Sequence, residues 1–162
     1  MSQMAPTAAE PRDVVRFVDL MNGLPGEYDY VILLGMKELD WPQLITNIER
    51  GLPYSAFEHL QRNTGLAPDV FLEWIQMAPR TQARRKVQGR LLPDESDRLL
   101  RAARVFGRAL ELFHGDRAGA IEWLLHKLPA LGWKTPVELS RTDLGAREVE
   151  HLIGRIRHGV FS

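Results

Sequence analysis

Apolar residues recur at three- and four-residue spacing through most of the chain, and proline and glycine punctuate the polar breaks between them. That period belongs to helices with one buried face. Residues 13–21 carry Val14, Val15, Phe17, Val18 and Met21, a short helical pattern closed by Asn22-Gly23 and Pro25-Gly26. Residues 41–50 read as a second helix with Pro42 in its first turn and Gly51 as its stop. Pro53 and Ser55 open a third, which turns Phe57, Leu60 and Leu66 inward and ends near Gly65. Residues 67–76 start with Pro68 and Asp69 and space Val70, Phe71, Trp74 and Ile75 helically; after a break at 77–79 a further helix covers 80–88.

From Pro93 a long helix is predicted, with Asp94, Glu95 and Asp97 near the positive end of its dipole. Leu99, Ala102, Ala103, Phe106, Leu110 and Phe113 repeat along its inner face up to a stop at Gly115. Asp116 is placed to cap the next helix, which presents Ile121, Leu124 and Leu125 before Pro129 and Gly132 break the chain. Thr135-Pro136-Val137-Glu138 is a capping box with proline at the first helical position, a specific start signal. A last helix over 143–157 aligns Val149, Leu152, Ile153 and Ile156. The fold class is therefore all-α, and residues 30–34 are the one segment that could form a strand. Residues 1–12, polar and rich in proline and alanine, read as a flexible arm.

Composition narrows the chemistry. At 162 residues and 44% hydrophobic the chain can bury a substantial core. It has no cysteine, which excludes disulfides, thiolate catalysis and cysteine-based zinc sites. The start lacks the apolar core of a secretory signal, and the longest apolar stretch, 30–36, is far too short to span a bilayer. The expected setting is the cytoplasm, with no membrane partner. The five histidines, His59, His114, His126, His151 and His158, lack the i, i+4 spacing with an adjacent glutamate of a helical zinc site. His114-Gly115-Asp116 sits at a helix junction and reads as capping rather than catalysis. Glu148 and Glu150, two apart on a helix, face different ways. With no glycine-rich phosphate loop and no nucleophile elbow, neither an enzyme nor a metal or cofactor is expected.

Charge changes the picture more. The net charge is zero, yet residues 80–90 hold five cations (Arg80, Arg84, Arg85, Lys86 and Arg90) and no anion. Residues 1–79 hold five basic and eleven acidic side chains, and residues 91–162 hold eleven and ten. Helix, three-residue turn, basic helix is the helix-turn-helix layout, in which the second helix enters the major groove of DNA. Thr81, Gln82 and Arg85 are the expected base readers, while Arg84, Lys86 and Arg90, beside Arg80, would lie against phosphate. Three positions depart from the usual layout: Leu72 replaces a small residue, Gln76 the turn glycine and Gln82 an inward apolar residue.

Longer runs carry a resemblance. Arg84-Arg85-Lys86, Gly89-Arg90-Leu91 and Ser96-Asp97-Arg98-Leu99-Leu100 are similar to Xre-type antitoxins of the RES-Xre toxin-antitoxin systems, the Xre/ParS family. The carboxy-terminal runs Pro129-Ala130-Leu131-Gly132, Thr135-Pro136-Val137-Glu138-Leu139, Gly145-Ala146-Arg147-Glu148-Val149-Glu150, Leu152-Ile153-Gly154-Arg155-Ile156 and Gly159-Val160-Phe161 resemble that family's toxin-binding domain. The likeness covers about 50–162 well. It implies a helix-turn-helix region over 13–91 and a toxin-binding domain over 92–162. It further implies a homodimer that blocks a RES-domain, NAD-degrading toxin and represses its own operon by binding operator DNA. The inhibitory end would comprise Arg155, Arg157, His158, Gly159, Val160, Phe161 and Ser162. A stand-alone helix-turn-helix regulator is the alternative reading.

Overall fold

The computed structural model describes residues 9–37 and 40–159, and among them every regular element is helical. The first helix, α1 (Arg12–Asn22), buries Val14 and Phe17 against the segment that follows. That segment, expected to be the one possible strand, is instead a 3₁₀ helix over Asp29–Leu34 with all six residues buried. An apolar run surrounded by other helices has no strand to pair with and must satisfy its backbone locally. Val31 and Gly35 donate to the carbonyls of Tyr28 and Ile32 at 3.1 and 2.9 Å, and the Asn63 amide covers the Leu33 carbonyl at 2.8 Å.

Next come α2 (Trp41–Arg50), α3 (Tyr54–Thr64), α4 (Pro68–Trp74) and α5 (Pro79–Gln88), each with proline at or beside its first turn. The proline ring fixes φ for helix entry where no N–H partner exists. The 20-residue α6 (Pro93–Leu112) is the axis of the molecule. Leu99, Ala103, Val105, Phe106, Ala109 and Leu110 are fully buried along it, and α1, α2, α3 and the 3₁₀ helix pack on it. The remaining elements are α7 (Arg117–Leu124), a 3₁₀ turn at Pro129–Leu131, α8 (Pro136–Leu139) and α9 (Asp143–Arg157). The expected caps form: Asp116 accepts from Gly119 N–H, and Thr135 and Glu138 bond reciprocally at 3.0 Å.

Polar ties hold the carboxy-terminal helices to the rest. Arg104 of α6 pairs with Glu150 of α9 at 2.5 Å, and the Trp74 indole of α4 donates to Ser140 Oγ at the end of α8 at 2.9 Å. The α8–α9 junction is so close that a Cβ on Gly145 would lie 1.8 Å from the Leu139 carbonyl oxygen, so only glycine fits there.

Candidate nucleic-acid and partner interfaces

The turn between α4 and α5 is built without glycine. Gln76 takes the left-handed conformation at φ 54°. Its N–H donates to the Glu73 carbonyl at 3.2 Å, and Met77 N–H reaches back to Leu72 at 2.9 Å, the paired bonds of a Schellman stop. Arg98 of α6 supports the strained residue from outside, donating to the carbonyls of Ile75 at 2.9 Å and Gln76 at 3.5 Å. Leu72 is buried, and Met77 fills the core just before α5 begins.

The second helix, α5, has almost no apolar inner face. Its one buried residue is Arg85. The Arg85 Nε donates to Glu95 Oε1 of α6 at 2.6 Å, its Nη1 donates to Gln88 at 3.1 Å, and the two charged side chains are 8% and 5% exposed. Glu95 also accepts Leu92 N–H at 2.8 Å, closing the first turn of α6. The hydrogen bond that Arg85 donates to Glu95, outweighing desolvation, raises the Arg85 pKa above its ordinary value. Gln82, where an apolar residue was the usual choice, is half-buried and donates to the Tyr54 hydroxyl at 3.3 Å.

Past Gly89 the chain runs antiparallel to the α2–α3 link. Tyr54 N–H bonds Gly89, Leu91 N–H bonds Leu52, and Leu52 N–H bonds Ser96 Oγ, at 2.9, 2.9 and 2.8 Å. Arg90 Nη1 donates to the Gly51 carbonyl at 2.6 Å. Gly51 has φ 84°, and a Cβ there would meet the Leu91 carbonyl oxygen at 2.0 Å.

This geometry sorts the sequence-predicted residues. Arg80, Arg84 and Lys86 are exposed and enter no ion pair among the described residues. Thr81 is half-buried near the start of α5, and Arg90 is exposed but tethered at one nitrogen. The expectation that Arg85 reads a base is corrected, because its guanidinium is buried and bonded to Glu95. Glu95, assigned only to the dipole of α6, is the partner that sequence reasoning missed.

At the other end, α9 buries Val149, Leu152 and Ile153. Arg155 is half-buried and unpaired among the described residues, while Arg157 pairs with Glu111 of α6 at 3.0 Å. His158 and Gly159 are exposed, the latter at φ 67°. Val160, Phe161 and Ser162 lie outside the described residues. Among those described, no group of three histidine, aspartate or glutamate side chains is placed to hold a metal ion, and no helix is long and apolar enough to cross a membrane.

A two-helix unit with a cationic outer face, continued through one long helix into a second helical domain, defines the class: a helix-turn-helix protein with an appended interaction domain. The description "Antitoxin Xre-like helix-turn-helix domain" matches residues 43–104, and "Antitoxin Xre/MbcA/ParS C-terminal toxin-binding domain" matches residues 108–159. The chain is 35% identical over 120 residues to an Antitoxin Xre of Yersinia enterocolitica, covering 74% of this chain and 81% of that protein. It is 32% identical over 130 residues to an Antitoxin Xre of Photorhabdus laumondii, covering 80% and 88%. The chain belongs to the Xre antitoxin family. It is an antitoxin of a toxin-antitoxin system, in a family that is not catalytic.

Proposed function

We propose that this antitoxin neutralises a RES-domain toxin that degrades NAD, and that as a homodimer it represses its own operon through the outer face of α5. The observation that carries the first half is the toxin-binding match over residues 108–159, which includes the last turn of α9 with Arg155, Arg157, His158 and Gly159. A guanidinium or imidazolium there suits groups meant for dinucleotide phosphate or for acidic catalytic residues. Val160, Phe161 and Ser162 continue this end, with Phe161 suited to an apolar slot. In the second half Arg80, Arg84 and Lys86 act on phosphate, Thr81 and Gln82 lie nearest the bases, and Arg90 keeps its free nitrogen for the backbone. Two copies on a two-fold operator would set half-sites about one helical turn apart.

The test is co-expression with the protein encoded by the adjacent reading frame. Cells carrying both should keep their NAD and grow, and the two proteins should co-purify. Removing residues 155–162 should abolish rescue while the melting transition persists. A neighbour that leaves NAD untouched would end the RES reading, and full rescue by the truncated chain would remove this end from the mechanism.

A further inference from the structure

Trp133 stands where the backbone calls for glycine. The chain reverses at 131–134, with Lys134 N–H reaching the Leu131 carbonyl at 3.4 Å and both central residues, Gly132 and Trp133, left-handed at φ 66° and 63°. Positive φ at both central positions is the type I′ arrangement, dominated by glycine, asparagine and aspartate. A bulky L side chain there crowds its Cβ against the neighbouring carbonyl. A tryptophan ordinarily buries its indole, as Trp74 does in unstrained helix α4, 2% exposed with its N–H on Ser140. Trp133 is instead 67% exposed. Backbone strain and an apolar surface in water both weigh against the free protein, and such strain persists where it has a use.

The turn also holds the residue firmly. Trp133 N–H bonds the Leu128 carbonyl at 2.9 Å, Leu128 N–H bonds Lys134 at 3.1 Å, and the Thr135–Glu138 capping box follows directly. A fixed pedestal lowers the ordering cost of docking the ring. Lys127 and Lys134 are exposed around it, and neither enters an ion pair among the described residues. All of this lies inside the segment that matches the toxin-binding domain.

We propose that Trp133 is an anchor of the toxin interface: its indole enters an apolar recess on the cognate toxin, and Lys127 and Lys134 lie over an acidic rim. The proposal rests on the antitoxin reading and adds to the end of α9 a second contact, on the α7–α8 turn. Buried tryptophans dominate many interfaces.

The experiment uses the full-length chain and the toxin encoded beside it. Trp133→Gly should leave the free antitoxin's melting midpoint unchanged or higher, since the strain is relieved, while the dissociation constant for the toxin rises about thirty-fold or more. Trp133→Phe should fall between Trp133→Gly and the parent. Replacing Lys127 and Lys134 by alanine should slow association and weaken its salt dependence. Toxin binding by Trp133→Gly within about two-fold of the parent, below any hot-spot effect, defeats the proposal. A lower midpoint for Trp133→Gly does so as well, because the indole would then serve the fold. A parent chain that forms no complex with its neighbour removes the antitoxin partnership itself, a distinct outcome.

Discussion

Arg84 and Arg85 are neighbours on one helix, yet Arg84 is exposed and Arg85 is buried against Glu95, so only Arg84 suits the proposed operator contact. Replacing Arg85 by alanine leaves Glu95 buried with Leu92 N–H as its remaining partner. Breaking a deeply buried pair costs about 3–5 kcal/mol; this pair lies just beneath the surface, so screening reduces the expected loss to about 2–3 kcal/mol. In a chain of 162 residues that corresponds to a fall in melting midpoint of about 6–10 °C. Arg84→Ala, at an exposed position, should change stability by less than about 0.5 kcal/mol. Operator binding reverses the order. Each lost phosphate contact lowers the slope of log affinity against log salt by about 0.9, so Arg84→Ala should flatten the slope by about that much. Arg85→Ala, measured well below its lowered midpoint, should leave the slope unchanged. Thermal melting by circular dichroism and fluorescence anisotropy across a salt series read the two quantities. An Arg85→Ala protein that melts with the parent and shows the flattened slope would refute the assignment, since a free guanidinium does both.

Two further substitutions check the same physics elsewhere. Gln76→Gly should stabilise the chain by about 1 kcal/mol, because a left-handed residue loses its Cβ strain while the Schellman bonds and the Arg98 contacts are backbone-directed and remain; a lower melting midpoint would mean that the glutamine side chain holds the turn. Glu138 has its pKa lowered from 4.5 by the hydrogen bond from Thr135 N–H, with Lys127, Arg141 and Lys134 nearby. A carboxyl depressed in the folded state contributes stability above its unfolded pKa and loses it as pH falls through the folded one. The stability difference between the parent and Glu138→Gln should therefore be full near neutrality and close as pH falls through and below the ordinary glutamate range, and a difference constant with pH in thermal melts would contradict the linkage.

Much of the fold was legible because its helices announce their starts. Pro68 and Pro93 fall in first helical turns, and Thr135 and Asp116 cap where the pattern placed them. Residues 29–34 escaped because a segment buried on every side has no polar face, and so no period to distinguish strand from 3₁₀ turn. The burial of Arg85 within the basic helix escaped for a related reason. A charge count sees five cations in eleven residues but not the anion ten positions onward, brought under Arg85 by the reversal at Gly89. The missing apolar stripe was nonetheless a signal. Val87, the one large aliphatic residue within α5, is 89% exposed, while half-buried Gln82 and buried Arg85, at i and i+3, face inward. A helix with so little hydrocarbon to bury is held by polar contacts, and here one of its own charges supplies them. Five cations less Arg85 leaves four on the helix and its exit, of which Arg90 is tethered to Gly51, so Arg80, Arg84 and Lys86 are the exposed cations left on α5 for the proposed operator contact.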